Sequence, residues 1–404
     1  MFIIYRKISN NIVHNVNYQG TIYACYIAYV VQGIINNINP LLFVIYQRLL
    51  GIPFYKIGIL IAANFGIQIL TDFLSARYVD RFGYRRSIMF AHFMSTLGLI
   101  GIGIFPFIFS DPFVGLVLAT MLNGIGGGLL EVMVSPIVEA TPSNEKEKAM
   151  STLHSFYCWG CLLFISLSTI FLRIIGSDHW YCIPIVWAIV PFLNLLFFSK
   201  VPINTLVNQE EKIPVKYLLK KRIFWLLVII MICSGASELA MSQWVSYFAE
   251  TGLHVNKTIG DLLGACFFCV LMGLSRLFYG KFGHKVELKK FMYLSCFLCV
   301  AGYLMAVFSP IAIIGLLGCG ICGLSVGILW PGTFSIAAKA CREGGTAMFA
   351  FLALAGDIGC VSGPEIVSIV ANALPQHGIK AGLLVAILFP ILLVITLKFG
   401  IKHK

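Results

Sequence analysis

Three carboxylic acid residues lie deep inside long apolar runs of this sequence: Glu131, Glu238 and Asp357. An ionisable side chain in hydrocarbon is costly, so those that remain usually face a cavity and mark an ion or substrate path. Glu131 is the best candidate for ion coupling, because no Lys or Arg neighbours it in its run and desolvation favours a neutral carboxyl that exchanges its proton when water enters. Glu238 is a second candidate and could instead coordinate Na⁺. A structural hydrogen bond is the alternative for both, and helix packing is the alternative for Asp357.

Neutral hydrogen-bonding side chains follow one face of the first apolar run. Gln32, Asn36 and Asn39 are spaced i, i+4 and i+7, which places them on a single helix face. That face can hold hydroxyl groups, and His154 could relay a proton or bind a further hydroxyl, with a structural role as its alternative. Aromatic planes and additional donors would complete a pocket for a polyol or small sugar. The residues that supply them are Tyr157, Trp159, Gln243, Trp244 and Trp330.

The composition determines which elements must position these residues. Of the 404 residues, 59% are hydrophobic and 11% are charged, whereas about a quarter of a soluble domain is charged. This excludes a disordered chain and argues against a soluble enzyme. The net charge of +12 does not indicate nucleic-acid binding, since no basic run is interleaved with aromatic residues outside the apolar runs. We expect a multi-pass membrane protein with no cofactor and no metal site.

Charges, Pro and Gly divide the apolar runs into twelve predicted membrane spans. The longest polar stretch, 200–222, predicts a linker between an N-terminal six-helix half (1–199) and a C-terminal six-helix half (223–404). All but five of the 29 Lys and Arg residues fall on the linker side of the predicted membrane, which places both termini in the cytoplasm by the positive-inside rule. The predicted spans are about 18–47, 54–79, 87–109, 112–138, 149–175, 180–199, 223–249, 258–280, 291–308, 310–338, 345–373 and 379–399.

A charged turn after the second span carries a family resemblance. The segment ARYVDRFGYRRS, which begins at Ala76, resembles the G-x-x-x-D-R-x-G-R-R-R motif of the major facilitator superfamily, and a degenerate copy, GKFGHK, begins at Gly280. The resemblance implies an all-α fold of twelve transmembrane helices in two pseudo-twofold halves, with spans 1, 4, 7 and 10 around a cavity and spans 3, 6, 9 and 12 against lipid. It also implies a conformational latch between the halves, for which simple anchoring is the alternative. Its residues are Asp80, Arg81, Gly83, Arg85 and Arg86.

Spans 1, 4 and 5 resemble the fucose-permease-like branch of that superfamily. The matching segments are INNINP from Ile35, GGGLLEVMVSP from Gly126 and STLHSFYCWG from Ser151. This chain has Pro40 where the branch commonly has Asp, and it has His154 and Tyr157 where the branch has Gln and Asn. These departures argue against fucose itself as the substrate.

The sequence therefore predicts a secondary active transporter that moves a small neutral organic solute, a sugar or polyol, coupled to H⁺ or Na⁺. We expect a monomer in the plasma membrane, with the lipid bilayer, the solute and the ion as its partners and no nucleic acid. Efflux of amphipathic compounds and a non-transporting membrane receptor are the alternatives. A membrane-embedded enzyme is disfavoured, because no H-E-x-x-H, G-x-S-x-G or P-loop motif is present.

Overall fold

The computed structural model describes residues 17–142, 146–204, 219–282, 286–340 and 345–400. Regular structure in these ranges is helical, and twelve helices are long and apolar enough to cross a membrane. This confirms the prediction of twelve spans. We number the helices α1 Gln19–Leu50, α2 Phe54–Phe82, α3 Tyr84–Ile108, α4 Pro112–Ala140, α5 Lys146–Ile175, α6 Cys182–Lys200, α7 Arg222–Gly252, α8 Lys257–Phe282, α9 Leu288–Phe308, α10 Ala312–Ala337, α11 Gly345–Ala373 and α12 Gly378–Lys398.

Burial separates central from peripheral helices. In α1, α4, α7 and α10, between 61% and 89% of the residues in the most apolar 18-residue stretch are buried. The corresponding share is 33% in α6 and 39% in α9 and α12. The peripheral helices expose large apolar side chains such as Val186, Phe297 and Leu388. A helix that is apolar on its exposed face is stable there only against hydrocarbon. The arrangement agrees with the layout that the superfamily resemblance implies for α6, α9 and α12, whereas α3, at 56%, is more buried than that layout implies.

Interruptions of the regular helix occur in three of the second-half helices that approach the centre. Helix α7 is regular to Ser242, resumes at Val245 and ends in a widened π turn over Phe248–Gly252. Helix α8 contains a π turn over Gly260–Cys266, and α10 is interrupted after Val326, five residues before Pro331. Such breaks release backbone groups from the helical ladder and are frequent at functional sites.

The two halves meet mainly where α2 packs on α11 and α5 packs on α8. Glycines permit close approach at both places: a Cβ added at Gly58 would lie 2.9 Å from Ser368 Cβ, and one at Gly273 would lie 3.2 Å from Cys158 Cβ. We call the end of the bundle where α6 ends and α7 begins the linker end. The opposite end, where α1 and α7 end, is the far end.

The orientation of the bundle generates a first prediction. A cysteine introduced by Lys220→Cys, an exposed site at the linker end, should react with a membrane-impermeant thiol reagent only after the membrane is permeabilised, because the positive charge of the linker end is retained in the cytoplasm. A cysteine introduced by Asp178→Cys, exposed at the far end, should react in intact cells. The unsubstituted protein measures the background from native cysteines. The reverse labelling pattern would contradict the orientation.

Candidate functional site

A network of side-chain amides joins α1, α2 and α7 in the middle of the bundle. Asn36 Oδ1 accepts hydrogen bonds from Asn64 Nδ2 at 3.1 Å and Gln68 Nε2 at 3.0 Å. Gln32 Nε2 donates to Gln68 Oε1 at 3.0 Å, and Gln243 Nε2 donates to the Asn36 backbone oxygen at 3.2 Å. The structure thus brings together three predicted substrate residues, Gln32, Asn36 and Gln243, and links the two halves through them.

Two members of this network were missed by the sequence analysis. Asn64 and Gln68 lie on α2, are 5% and 1% exposed, respectively, and supply most of the hydrogen bonds to Asn36. With Asp72 they are spaced four residues apart, so all three share one face of α2. This polar i, i+4, i+8 pattern inside an apolar span is the sequence feature that could have identified them.

Glu131 lies on α4 beside the amide network and is half-buried. Gln32 Nε2 donates to Glu131 Oε2 at 3.4 Å, and one turn further along α4 the Tyr29 hydroxyl and Ser135 Oγ are 3.2 Å apart. Within the described ranges no Lys or Arg forms an ion pair with Glu131. A carboxyl without a cation in a low-dielectric site is most stable when protonated, and a half-buried one can exchange that proton with entering water.

Arg276 is a candidate residue that the sequence analysis did not identify. Its Nη2 lies 3.2 Å from Glu238 Oε2 and 3.3 Å from Glu238 Oε1, and its Nη1 donates to the His154 backbone oxygen at 3.5 Å. The two charged side chains are 12% and 8% exposed. The position of Arg276 near the end of the eighth predicted span groups it with the basic residues of the linker side, but its side chain points into the bundle. Glu238 is therefore neutralised by a cation, unlike Glu131.

The three candidates on α5 occupy different environments. The His154 ring makes an edge-to-face contact with Tyr29, with ring centroids 5.2 Å apart. Tyr157 is half-buried and contacts the Asn36 side chain of the amide network. Trp159 packs beside α8, where the two halves meet. Tyr157 is thus the α5 residue most directly joined to the polar centre.

Trp244 and Trp330 take separate roles in the second half. Trp244 is fully buried, donates from Nε1 to the Pro364 oxygen at 3.1 Å, and packs on Phe43 and Phe54 of the first half with ring centroids 5.4 and 5.2 Å away. It therefore closes the far side of the centre. Trp330 is half-buried and lies over α11 immediately before Asp357.

Asn39 is not brought to the same site as Gln32 and Asn36. Its Nδ2 donates to Thr120 Oγ1 at 2.9 Å, and its Oδ1 accepts from the Tyr46 hydroxyl at 3.1 Å. Both partners belong to the first half, on α4 and α1. The side chain of Asn39 therefore ties those two helices together.

Part of the predicted latch is described. Gly83 has φ of 84°, a conformation that favours glycine and permits the sharp turn between α2 and α3. Arg85 donates to three carbonyl oxygens at the end of α6, each at 2.8 Å, and so ties α3 to α6 inside the first half. Arg86 is exposed. The side chains of Asp80 and Arg81 lie outside the described residues, so the latch between the halves stays a prediction.

A buried carboxylate connects four helices near the far end. Asp261 of α8 is 1% exposed and accepts from Thr169 Oγ1 at 2.9 Å, from Ser246 Oγ, and from Lys257 Nζ, which lies 3.0 Å from Oδ2. Lys257 also donates to the Leu41 oxygen at 2.7 Å. This far-end cluster (Asp261, Thr169, Ser246 and Lys257) holds α1 and α5 of the first half to α7 and α8 of the second. The sequence pattern of this stretch predicts only the start of a span.

Comparisons with known proteins agree with this architecture. Residues 25–364 match the family model of the Major Facilitator Superfamily. Similar solved structures include the xylose transporter XylE from E. coli in a partially occluded inward-open conformation (TM-score 0.75, 16% identity, 95% of this chain and 98% of that chain) and the E. coli fucose:proton symporter FucP (0.67, 14%, 96% and 100%). A bacterial homologue of the human lysosomal transporter Spinster is also similar (0.70, 13%, 94% and 95%). These identities show a shared fold. No curated protein sequence matches the chain.

The far-end cluster generates a second prediction. Asp261→Asn removes the negative charge that holds Lys257 and weakens the charge-assisted hydrogen bonds between the halves. Cys266, which is 5% exposed and lies 3.3 Å from Ser166 Oγ across the same interface, should then react with a soluble thiol reagent several-fold faster in purified protein. Peptide mass analysis would assign the modified cysteine.

Asp178→Asn is the matched control, because it makes the same chemical change at an exposed position of the far end. It should leave the labelling of Cys266 unchanged. Equal labelling in the Asp261→Asn variant, the control and the unsubstituted protein would contradict the role of the cluster in far-end closure.

Proposed function

Because the chain belongs to the major facilitator superfamily of membrane transporters, we propose that it is a proton-coupled secondary transporter of a small neutral organic solute, a sugar or polyol. The two six-helix halves, 1–199 and 223–404, alternate in opening the centre to either side, and 200–222 links them in the cytoplasm. The single observation that carries this proposal is the amide network of Gln32, Asn36 and Gln68 beside Glu131.

The chemistry of the centre supports a neutral, hydroxyl-rich solute. Side-chain amides offer both donors and acceptors, which match hydroxyl groups that also donate and accept. Gln32 Oε1 is buried and accepts no hydrogen bond from the described residues, so a donor such as a hydroxyl group can satisfy it. Tyr157 and Trp330, both half-buried, supply aromatic planes against which the apolar face of a sugar ring packs. The FucP and XylE structures named above are of a fucose:proton symporter and a xylose transporter, which agrees with this solute class.

The charge balance supports coupling to a cation rather than transport of an anion. Glu131 interacts electrostatically with Glu238 and Asp357, whereas Arg276 is already paired with Glu238. An anionic solute would meet uncompensated carboxyl groups. The close polar neighbour of Glu131 is an amide nitrogen, which suits a protonated carboxyl, whereas Na⁺ requires several converging oxygen atoms. Glu131 is therefore the proposed proton carrier. The His154 backbone oxygen accepts a hydrogen bond from Arg276, and His154 is proposed to help hold the Arg276 side chain in position.

The solute class is tested by thermal unfolding of purified protein against sugars, polyols, amino acids and amphipathic drugs, each with and without Na⁺. A ligand that binds only the folded state raises its stability, by about 2.7 kcal/mol when present at a hundred times Kd. We expect stabilisation by sugars or polyols and independence from Na⁺. Stabilisation by amphipathic drugs alone would favour efflux, and a requirement for Na⁺ would replace the proton in the proposal.

Glu131→Gln generates a third prediction. Gln keeps the shape of a protonated Glu and most of its hydrogen bonds but does not titrate. In proteoliposomes the variant should fail to concentrate the solute against its gradient, while exchange between equal internal and external pools continues. Radiolabelled solute, identified by the thermal screen, measures both.

Glu287→Gln is the control for this variant. Glu287 forms an exposed ion pair with Lys290, and such pairs contribute about 0–1 kcal/mol, so uphill transport should persist. Uphill transport by Glu131→Gln would assign coupling to another group, and Glu238 would be examined next.

A further inference from the structure

The helices that join the two halves carry two acidic residues at one place. Where α2 packs on α11, the carboxyl groups of Asp72 and Asp357 lie within hydrogen-bonding reach of each other. Their exposed fractions are 8% and 2%. Because α2 belongs to the first half and α11 to the second, this contact spans the interface that alternating access must open and close.

The contact lacks a donor from the rest of the described chain. Asp72 Oδ1 and Asp357 Oδ2 are fully buried, and no donor group in the described ranges hydrogen-bonds to either of them. Two carboxylates without a proton offer only acceptors and repel one another. A hydrogen bond between them therefore requires that one of them carries a proton, which both then share.

The charged groups around the pair do not replace that proton. On α4, Glu131 acts electrostatically on Asp72 and Asp357, and on α11 Cys360 lies near Asp357. On α7, Glu238 lies close enough to Glu131 to interact with it but is paired with Arg276. Each of these neighbours is acidic or already neutralised, so none supplies a cation to the pair.

Two glycines bring neighbouring helices close to the pair. A Cβ added at Gly128 of α4 would lie 2.7 Å from Asp72 Oδ1. On the other side, Gly356 precedes Asp357, and a Cβ there would collide with the Trp330 ring. Small residues on both flanks thus let α4 and α10 approach the pair closely.

We propose that Asp72 and Asp357 form a proton-binding site between the halves, distinct from Glu131, that takes up one proton when α2 and α11 come together and releases it when they separate. The inference rests on the proposed proton-coupled transport and deepens it. The proton comes from water and forms one O–H bond on either carboxyl; on separation the same bond breaks, both carboxylates are hydrated, and the proton returns to water. No oxidation or reduction takes place.

The site lies slightly to the linker side of the middle of both helices, since Asp72 is nearer to Phe82 than to Phe54 and Asp357 is nearer to Gly345 than to Ala373. The far-end cluster and Trp244 hold the opposite end closed. Opening at the linker end would therefore admit water to the pair and discharge its proton on that side. A proton bound only in the joined state stabilises that state by its binding free energy, which links proton occupancy to conformation.

Infrared spectroscopy of the purified protein tests the proposal without any solute. A protonated carboxyl in an apolar site gives a C=O stretching band that shifts in D₂O. Asp72→Asn and Asp357→Asn each place an amide donor against the remaining carboxylate, so the bond no longer needs a proton. We expect each single variant to remove the same band, equivalent to about one proton per molecule, and the double variant to remove no more than either.

Three outcomes would overturn the proposal: additive loss in the double variant, which means two independent protons; no change in either variant; or replacement of the band on addition of Na⁺. Glu131→Gln should remove a different band and leave this one. Thermal unfolding of the same samples identifies a variant that fails to fold, in which case the other single variant decides. If each single variant removes the same band but no compound of the thermal screen stabilises the protein, only the proposed transport function is contradicted. If the protein transports a solute but the band is absent, only the proposed site is contradicted.

Discussion

Buried charge at the junction of two membrane-embedded halves is the constraint on which the rest of this structure depends. A charge in that position is stable only if it is paired, hydrogen-bonded or neutralised by a proton. Glu238 is paired with Arg276, and Asp261 is surrounded by Lys257 and two hydroxyl groups. Glu131 has an amide neighbour, and no Lys or Arg of the described ranges is paired with it. Some of these contacts, such as Thr169 to Asp261 and Gln243 to the Asn36 oxygen, cross between the halves and are made only while the halves are in contact.

In the proposed transport cycle, the same constraint gives the halves two arrangements. Each neutral hydrogen bond across the junction, such as Gln243 to the Asn36 oxygen, contributes a net stabilisation of about 1 kcal/mol, because water replaces it when the junction opens. The junction is therefore held in part by weak hydrogen bonds that water can replace. A solute or proton that binds one arrangement better by a few kcal/mol is then sufficient to shift the population between them. In the proposed cycle, water therefore takes over the hydrogen bonds that the halves give up when the junction opens.

Hydropathy predicted the fold because a bilayer leaves few alternatives to apolar helices. The predicted ends of the twelve spans lie within a few residues of the observed helix ends. The placement of the candidate site residues was predicted in part. Gln32, Asn36 and Glu131 do lie together. The shared helix face of Gln32 and Asn36 and the depth of Glu131 in its span can both be read from a short stretch of sequence. Asn39 lies on the same helix face by its spacing, but its side chain forms hydrogen bonds with Thr120 and Tyr46 of the first half instead. Arg276, Asn64 and Asp261 were missed because their importance depends on partners far away in sequence, which a pattern within one span does not contain.

Proton movement together with the solute tests the proposed proton coupling through buried carboxyl groups most directly. In proteoliposomes without Na⁺, a pH-sensitive dye in the lumen would record protons entering as the solute identified by thermal screening is added outside. The account predicts acidification of the lumen that begins with solute addition, saturates with solute concentration and is absent from protein-free vesicles. Solute uptake with no change in lumenal pH, or uptake that requires Na⁺, would contradict it.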